Sequence, residues 1–272
     1  TEIYPLSLHD ALPILAYRME YIDKCNEGLA NPIIDAYLQT RRGRWSESTL
    51  YREFCGAQKH DIIDNVLLPE QDNKCCYCLK TIADHCDDAT IEHIIPQSTT
   101  SFAQAQHYYN GRPSRLNARN VCLTADFLAN NETCPPYPHR VAYHNMTVAC
   151  DRCNNKRDSN EIEPLFLYNT IHDEVSYDKG TGKVFWECDP GLIPTVETVG
   201  LNDPIMRAIR VTWFYIDANN LQWRTMTRSE LLYGALGYAI DHGCNDLLKA
   251  LMDLDTDTMW VNFVKYEYFL HI

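Results

Sequence analysis

Two cysteine pairs of identical spacing carry the strongest chemical signal in this chain. Cys75-Cys76-Tyr77-Cys78 and Cys150-Asp151-Arg152-Cys153 each give a C-x-x-C, the spacing at which a tight knuckle aims two thiolates at one ion. Together Cys75, Cys78, Cys150 and Cys153 supply the four sulfurs of a closed tetrahedral Zn²⁺ site of structural type. The alternatives are a redox pair and chance proximity among 12 cysteines. No secretory signal is legible, so the expected compartment is a reducing cytoplasm, where clustered cysteines bind metal or stay free. Between the pairs lies Ile91-Glu92-His93-Ile94-Ile95-Pro96-Gln97-Ser98, an acid–histidine dyad. Imidazole exchanges protons near neutral pH, and a carboxylate is a ligand for hard cations. Two amides complete the set: Asn145, ahead of Met146-Thr147-Val148-Ala149, and Asn154, directly after Cys153. Singly these are ordinary, since Glu-His is usually a surface pair and Asn at a helix start usually a cap.

The elements that must position them are short. Glu92 and His93 end a β-branched strand that Pro96 breaks into a loop, Asn145 precedes a second strand, and a helix starts at the second knuckle. In this order the residues resemble the HNH, or ββα-metal, nuclease motif in its zinc-knuckle form. The resemblance implies a phosphodiester hydrolase. Such a reaction needs a deprotonated water, a neutralised phosphate and a stabilised alkoxide leaving group. His93 is implied as the general base, Glu92 and Asn154 as oxygen ligands of a catalytic Mg²⁺ or Mn²⁺, and Asn145 as the residue fixing the loop that orients the histidine. Many members of that family carry Asp or His in place of Glu92, and Asn155 is a rival for the role of Asn154.

Charge is distributed in keeping with this. The 272 residues carry a net −13, which argues against a protein that coats nucleic acid with its whole surface. Yet residues 98–158 are net +3, between flanks of −7 and −9. Arg112, Arg115 and Arg119 follow His107, Tyr108 and Tyr109 in that stretch, and Arg140, Arg152, Lys156 and Arg157 extend it. Arginines interleaved with aromatics grip phosphates and stack on bases, and Lys156 and Arg157 follow the start of the metal-site helix. The 17 Tyr and 5 Trp exclude low-complexity disorder, and no apolar run is long enough to span a membrane.

The expected fold class is α+β. A zinc-knuckled ββα-metal HNH core occupies 71–160, with an insertion at about 99–143 between its strands. An N-terminal helical region covers 15–70. A hairpin around Asp178-Lys179-Gly180-Thr181-Gly182 and a helical tail fill 161–272, with helices at 204–216, 228–242, 245–254 and 258–270. Thr1–Ile14 resembles the translated sequence of a common sequencing adapter and is set aside as an artefact tail.

The wider pattern, from Met19-Glu20-Tyr21-Ile22-Asp23-Lys24 to Arg210, resembles the Septu-type anti-phage HNH nuclease and its retron-associated relatives. That implies a bacterial defence nuclease acting on nucleic acid, DNA ahead of RNA, beside an ATPase partner. The chain has no Walker A loop, so any ATP-driven step belongs to the partner. Two rival readings are a stand-alone restriction-type HNH nuclease and a catalytically inactive, zinc-stabilised nucleic-acid-binding module. The intact set of Glu92, His93, Asn145 and Asn154 speaks against the second of these.

Overall fold

A computed structural model describes residues 22–253, apart from 23, 55, 79, 102, 105–115, 117, 159–174, 179 and 187–196. The 1–14 tail and the expected 258–270 helix lie outside the described residues. Strand β1 (Ala89–His93) pairs antiparallel with β4 (Met146–Cys150), placing Glu92 opposite Thr147 and His93 opposite Met146. Helix α6 (Asp151–Arg157) follows β4 without a break and packs on both strands. All of β4 and the last three residues of β1 are buried, which is why Met146–Cys150 reads as an unbroken run rather than an alternation. The outer edge of β4 is satisfied by a side chain. Gln71 donates from Nε2 to Val148 O at 2.8 Å and accepts from Val148 N at 2.7 Å, while Cys76 N donates to the same carbonyl at 3.0 Å.

The N-terminal region forms because its apolar residues recur at helical spacing. Helix α1 (Glu27–Gln39) buries Ala30, Ile34, Tyr37 and Leu38. Helix α2 (Glu47–Leu50) starts from a reciprocal Ser46–Thr49 capping box. Helix α3 (Ala57–Ile62) continues through a π-helical segment, Ile63–Leu67, into α4 (Leu68–Glu70). The wider π turn keeps Ile62, Ile63, Val66, Leu67 and Leu68 all inside, and this segment packs on β4. Glu70 then ties the region to the strand pair. Its carboxylate accepts from Lys24 Nζ at 3.1 Å, from Asn26 N at 3.1 Å and from the Tyr143 hydroxyl.

Between β1 and β4 the chain makes a two-residue parallel pair, β2 (Val121–Cys122) with β3 (Tyr137–Pro138), around α5 (Thr124–Ala129). Nothing in the sequence pattern announces that pair. Downstream, β5 (Val175–Tyr177) and β6 (Val184–Trp186) form the expected hairpin. Helices α7 (Pro204–Ala218), α8 (Arg228–Asp241) and α9 (Leu248–Asp253) follow. Gly182 closes the hairpin at φ +64°, and a Cβ there would lie 2.6 Å from Arg207 O. Inside α7, buried Arg210 donates to Gly182 O at 2.7 Å and to Leu201 O, so one guanidinium joins hairpin and helix. The result is a mixed α+β chain whose buried apolar residues, from Ile22 to Leu251, form one connected cluster. Among the described residues, no helix is long and apolar enough to cross a membrane.

Candidate metal centre and histidine cleft

The two knuckles meet. The sulfurs of Cys75, Cys78, Cys150 and Cys153 lie within 4.8 Å of one another, and all four residues are buried. Cys78 Sγ and Cys150 Sγ are 3.7 Å apart, well beyond a covalent S–S bond. The backbone N–H groups of Cys150 and Tyr77 donate to Cys75 Sγ at 3.2 and 3.5 Å. Burial pushes the Cys75 thiol well above its ordinary range, so only a bound cation makes a set of thiolates stable here. Four convergent buried sulfurs suit a structural metal such as zinc. Cys76, the extra member of its triplet, stands apart and accepts from the Thr147 hydroxyl at 3.8 Å.

His93 ends β1 with only 4% of its surface exposed. Its Nε2 lies 2.9 Å from Arg140 O, which can only accept, so Nε2 carries the hydrogen and Nδ1 keeps its lone pair. Gln97 Nε2 approaches that Nδ1 at 3.3 Å, and the Tyr51 ring meets the imidazole edge-on at 4.7 Å between centroids. Burial lowers the His93 pKa to about 4, against the Arg140 carbonyl, with smaller lowering by the Lys59 and Arg140 charges. At neutral pH the ring is an uncharged base.

Asn145 is wholly buried and clamps the loop after His93. It accepts from Ile95 N at 2.7 Å and donates to Ile95 O at 3.1 Å and His139 O at 2.6 Å. The turn at His139 and Arg140 therefore holds both groups: one carbonyl takes Asn145, the next takes His93. His139 is itself fixed, donating from its backbone N to Cys122 O at 2.7 Å and accepting at Nδ1 from Thr124 N at 3.0 Å. Sequence reasoning missed this turn, because a His-Arg pair in a stretch without periodicity gives no local signal.

A cleft of about 490 Å³ opens beside the dyad, lined among others by Glu92, His93, Gln97, Asn154, Asn155 and Asp158. Asn154 and Asn155 both line it, so the two remain rivals. Asp158, just past α6, adds a second carboxylate that the sequence pattern did not single out. Glu92, Asn154 and Asp158 are hard oxygen donors of the type Mg²⁺ takes.

Arg157 departs from expectation. Rather than presenting a cation to a polyanion, it is 2% exposed and forms a buried ion pair with Glu92. It also donates to His93 O at 2.5 Å and Ile94 O at 3.0 Å. Helix α6 is short, so its last turn faces back onto β1 and carries the guanidinium inward. Lys156 stays at the surface but pairs with Asp203, which Arg152 also contacts at 2.9 Å. Arg119 is exposed, while Arg112 and Arg115, with His107, Tyr108 and Tyr109, lie outside the described residues.

Two measurable consequences follow from this burial. Arg157→Ala should destabilise the fold by about 3–5 kcal/mol in denaturant unfolding, because it strands the Glu92 charge; a loss near zero would mean that water reaches the pair. The second concerns acid. Burial lowers His139 to about 3, and the His93 and Arg140 charges add to this, whereas an unfolded histidine titrates near 6.5. The unfolded chain therefore binds the extra protons first. The stability from neutral His139 and His93 is complete above about pH 6.5 and is lost as pH falls through 4 for His93 and toward 3 for His139. Melting temperatures should fall over that window, and less steeply in His139→Gln; identical slopes would remove His139 from this role.

No protein-family model, curated protein or solved structure matches this chain.

Proposed function

We propose that the chain is a metal-dependent endonuclease of the HNH, ββα-metal, type, with a structural Zn²⁺ on Cys75, Cys78, Cys150 and Cys153. The observation that carries this reading is His93: Nε2 is tied to Arg140 O, and the ring borders a cleft lined by oxygen donors. With Nε2 committed, Nδ1 is the basic nitrogen; the Gln97 amide sits on its lone pair at 3.3 Å, and in the proposed reaction a water takes that place. In the proposed reaction Nδ1 takes a proton from that water as its oxygen attacks phosphorus and the P–O bond to the leaving alkoxide breaks. Asn145 holds the 94–95 backbone, and through it the direction of the imidazole. An Mg²⁺ or Mn²⁺ held by Glu92 and Asn154 would neutralise the phosphate and the departing oxygen. Arg157, gripping one oxygen of Glu92 and the carbonyls of His93 and Ile94, serves as a positioning residue for the dyad.

The substrate we propose is DNA ahead of RNA, within an anti-phage system whose ATPase partner supplies control. The charge pattern supports a partner: only residues 98–158 are net basic, between acidic flanks, so the isolated chain binds polyanions weakly at physiological salt. The test is cleavage of DNA and RNA by the purified chain at low ionic strength with Mg²⁺ or Mn²⁺. Cleavage abolished by chelation and by His93→Ala supports the reading. An intact, zinc-loaded chain that cuts neither substrate with either ion, alone or with the ATPase, overturns it in favour of a binding module.

A further inference from the structure

Away from the cleft, the loop that leads into β1 gathers a different set of metal-binding groups. Asp84, His85 and Cys86 each offer one donor atom, and the three atoms lie within 4.8 Å of one another. The loop is folded on itself: Cys86 N donates to Asp84 Oδ1 at 2.8 Å and Ala83 N to Asp87 Oδ2 at 3.0 Å. His85 is held from outside by the helical segment that packs beside it. Asp64 accepts from the His85 backbone N at 2.7 Å and lies 2.5 Å from Nδ1. One turn earlier, His60 stacks on the His85 ring with centroids 3.8 Å apart and planes 16° from parallel.

A carboxylate that takes the Nδ1 hydrogen leaves the Nε2 lone pair as the ring's donor. This is how proteins fix the tautomer and direction of a metal-binding imidazole. A nitrogen, a sulfur and an oxygen donor form a borderline-soft set, unsuited to Mg²⁺ or Ca²⁺ and suited to Zn²⁺ and its first-row neighbours. We propose that Asp84, His85 and Cys86 form a second transition-metal site, of the zinc class, with Asp64 orienting His85. Three protein donors leave a fourth position open to water, in contrast to the closed four-sulfur set. Asp84 and Cys86 are exposed, so this ion exchanges with solvent. It also reaches the cleft indirectly. Asp88, at the end of the same loop, accepts from Asp151 N at 2.9 Å and pairs with Lys80, so an ion here joins the α3 segment to the entrance of β1 and the start of α6.

The experiment is metal analysis of the full chain after zinc loading and removal of loose ions, paired with a Co²⁺ titration. The wild type should retain about two ions and His85→Ala with Cys86→Ser about one, the variant still folding cooperatively and melting somewhat below the wild type. Asp64→Asn should weaken the second ion by about 10- to 100-fold. In the titration, one phase should carry the absorption of a single thiolate ligand and the other that of four. A wild-type stoichiometry of one, two ions retained by the double variant, or a single Co²⁺ phase would overturn the proposal. None of these readouts depends on nuclease activity.

Discussion

Replacing His93 by alanine is expected to lower phosphodiester cleavage by about 10²- to 10⁴-fold, the contribution of a positioned general base. The ring is uncharged at neutral pH because burial holds its pKa near 4, and its Nε2 is committed to Arg140 O. Deleting it removes the imidazole base from the cleft. Alanine also removes a buried ring that packs on Tyr51, so folding must be read separately from rate. His93→Gln serves that purpose: its amide can still donate toward the Arg140 carbonyl but cannot take a proton. Both variants should show that loss, and the glutamine variant should melt close to the wild type. Cleavage by either at the wild-type rate would remove His93 from the mechanism.

The second large effect concerns the sulfurs. Cys150→Ser with Cys153→Ser should lose one tightly held zinc and, with it, cooperative folding of the strand pair and α6. Binding to such a site is folding free energy, on the order of 10 kcal/mol for small structural zinc sites. Cys150 ends β4 and Cys153 sits in the first turn of α6, while Cys75 and Cys78 come from the preceding knuckle. The ion thus joins the 75–78 knuckle to the end of β4 and the start of α6, adding to the bonds that Gln71 and Cys76 N make to Val148. Cys76→Ser is the control, since Cys76 is not one of the four convergent sulfurs; it should keep its zinc and its transition. A double variant with wild-type zinc content and unfolding would sink the assignment.

What was legible in the sequence was whatever local spacing determines. The two C-x-x-C pairs signalled a shared cluster, and their sulfurs do converge. Pro96 and the β-branched run placed the end of β1 at His93, and Pro204 placed the start of α7. The turn residues at 178–182 gave the hairpin. What stayed hidden depends on distant partners. An arginine at the end of a short helix reads as surface charge. Only Glu92, 65 positions earlier, and the carbonyls beside it make Arg157 a buried residue. The β2–β3 pair is two residues long, too short for any periodicity. The π-helical widening of the α3 segment likewise follows from packing rather than from composition.

The His139–Arg140 turn limits how far this unit could be treated as a transferable module. It belongs to the stretch between the strands, which looks free to vary in length, yet its carbonyls receive Asn145 and His93. Grafting β1, β4 and α6 alone onto another scaffold would leave His93 Nε2 and Asn145 Nδ2 short of acceptors, and a shortened chain joining residue 98 to 143 would do the same. Insertions between Tyr137 and Asn145 would uncouple the turn from the histidine it aims. The end of the connection between the strands is therefore part of the device that aims the histidine, rather than a spacer.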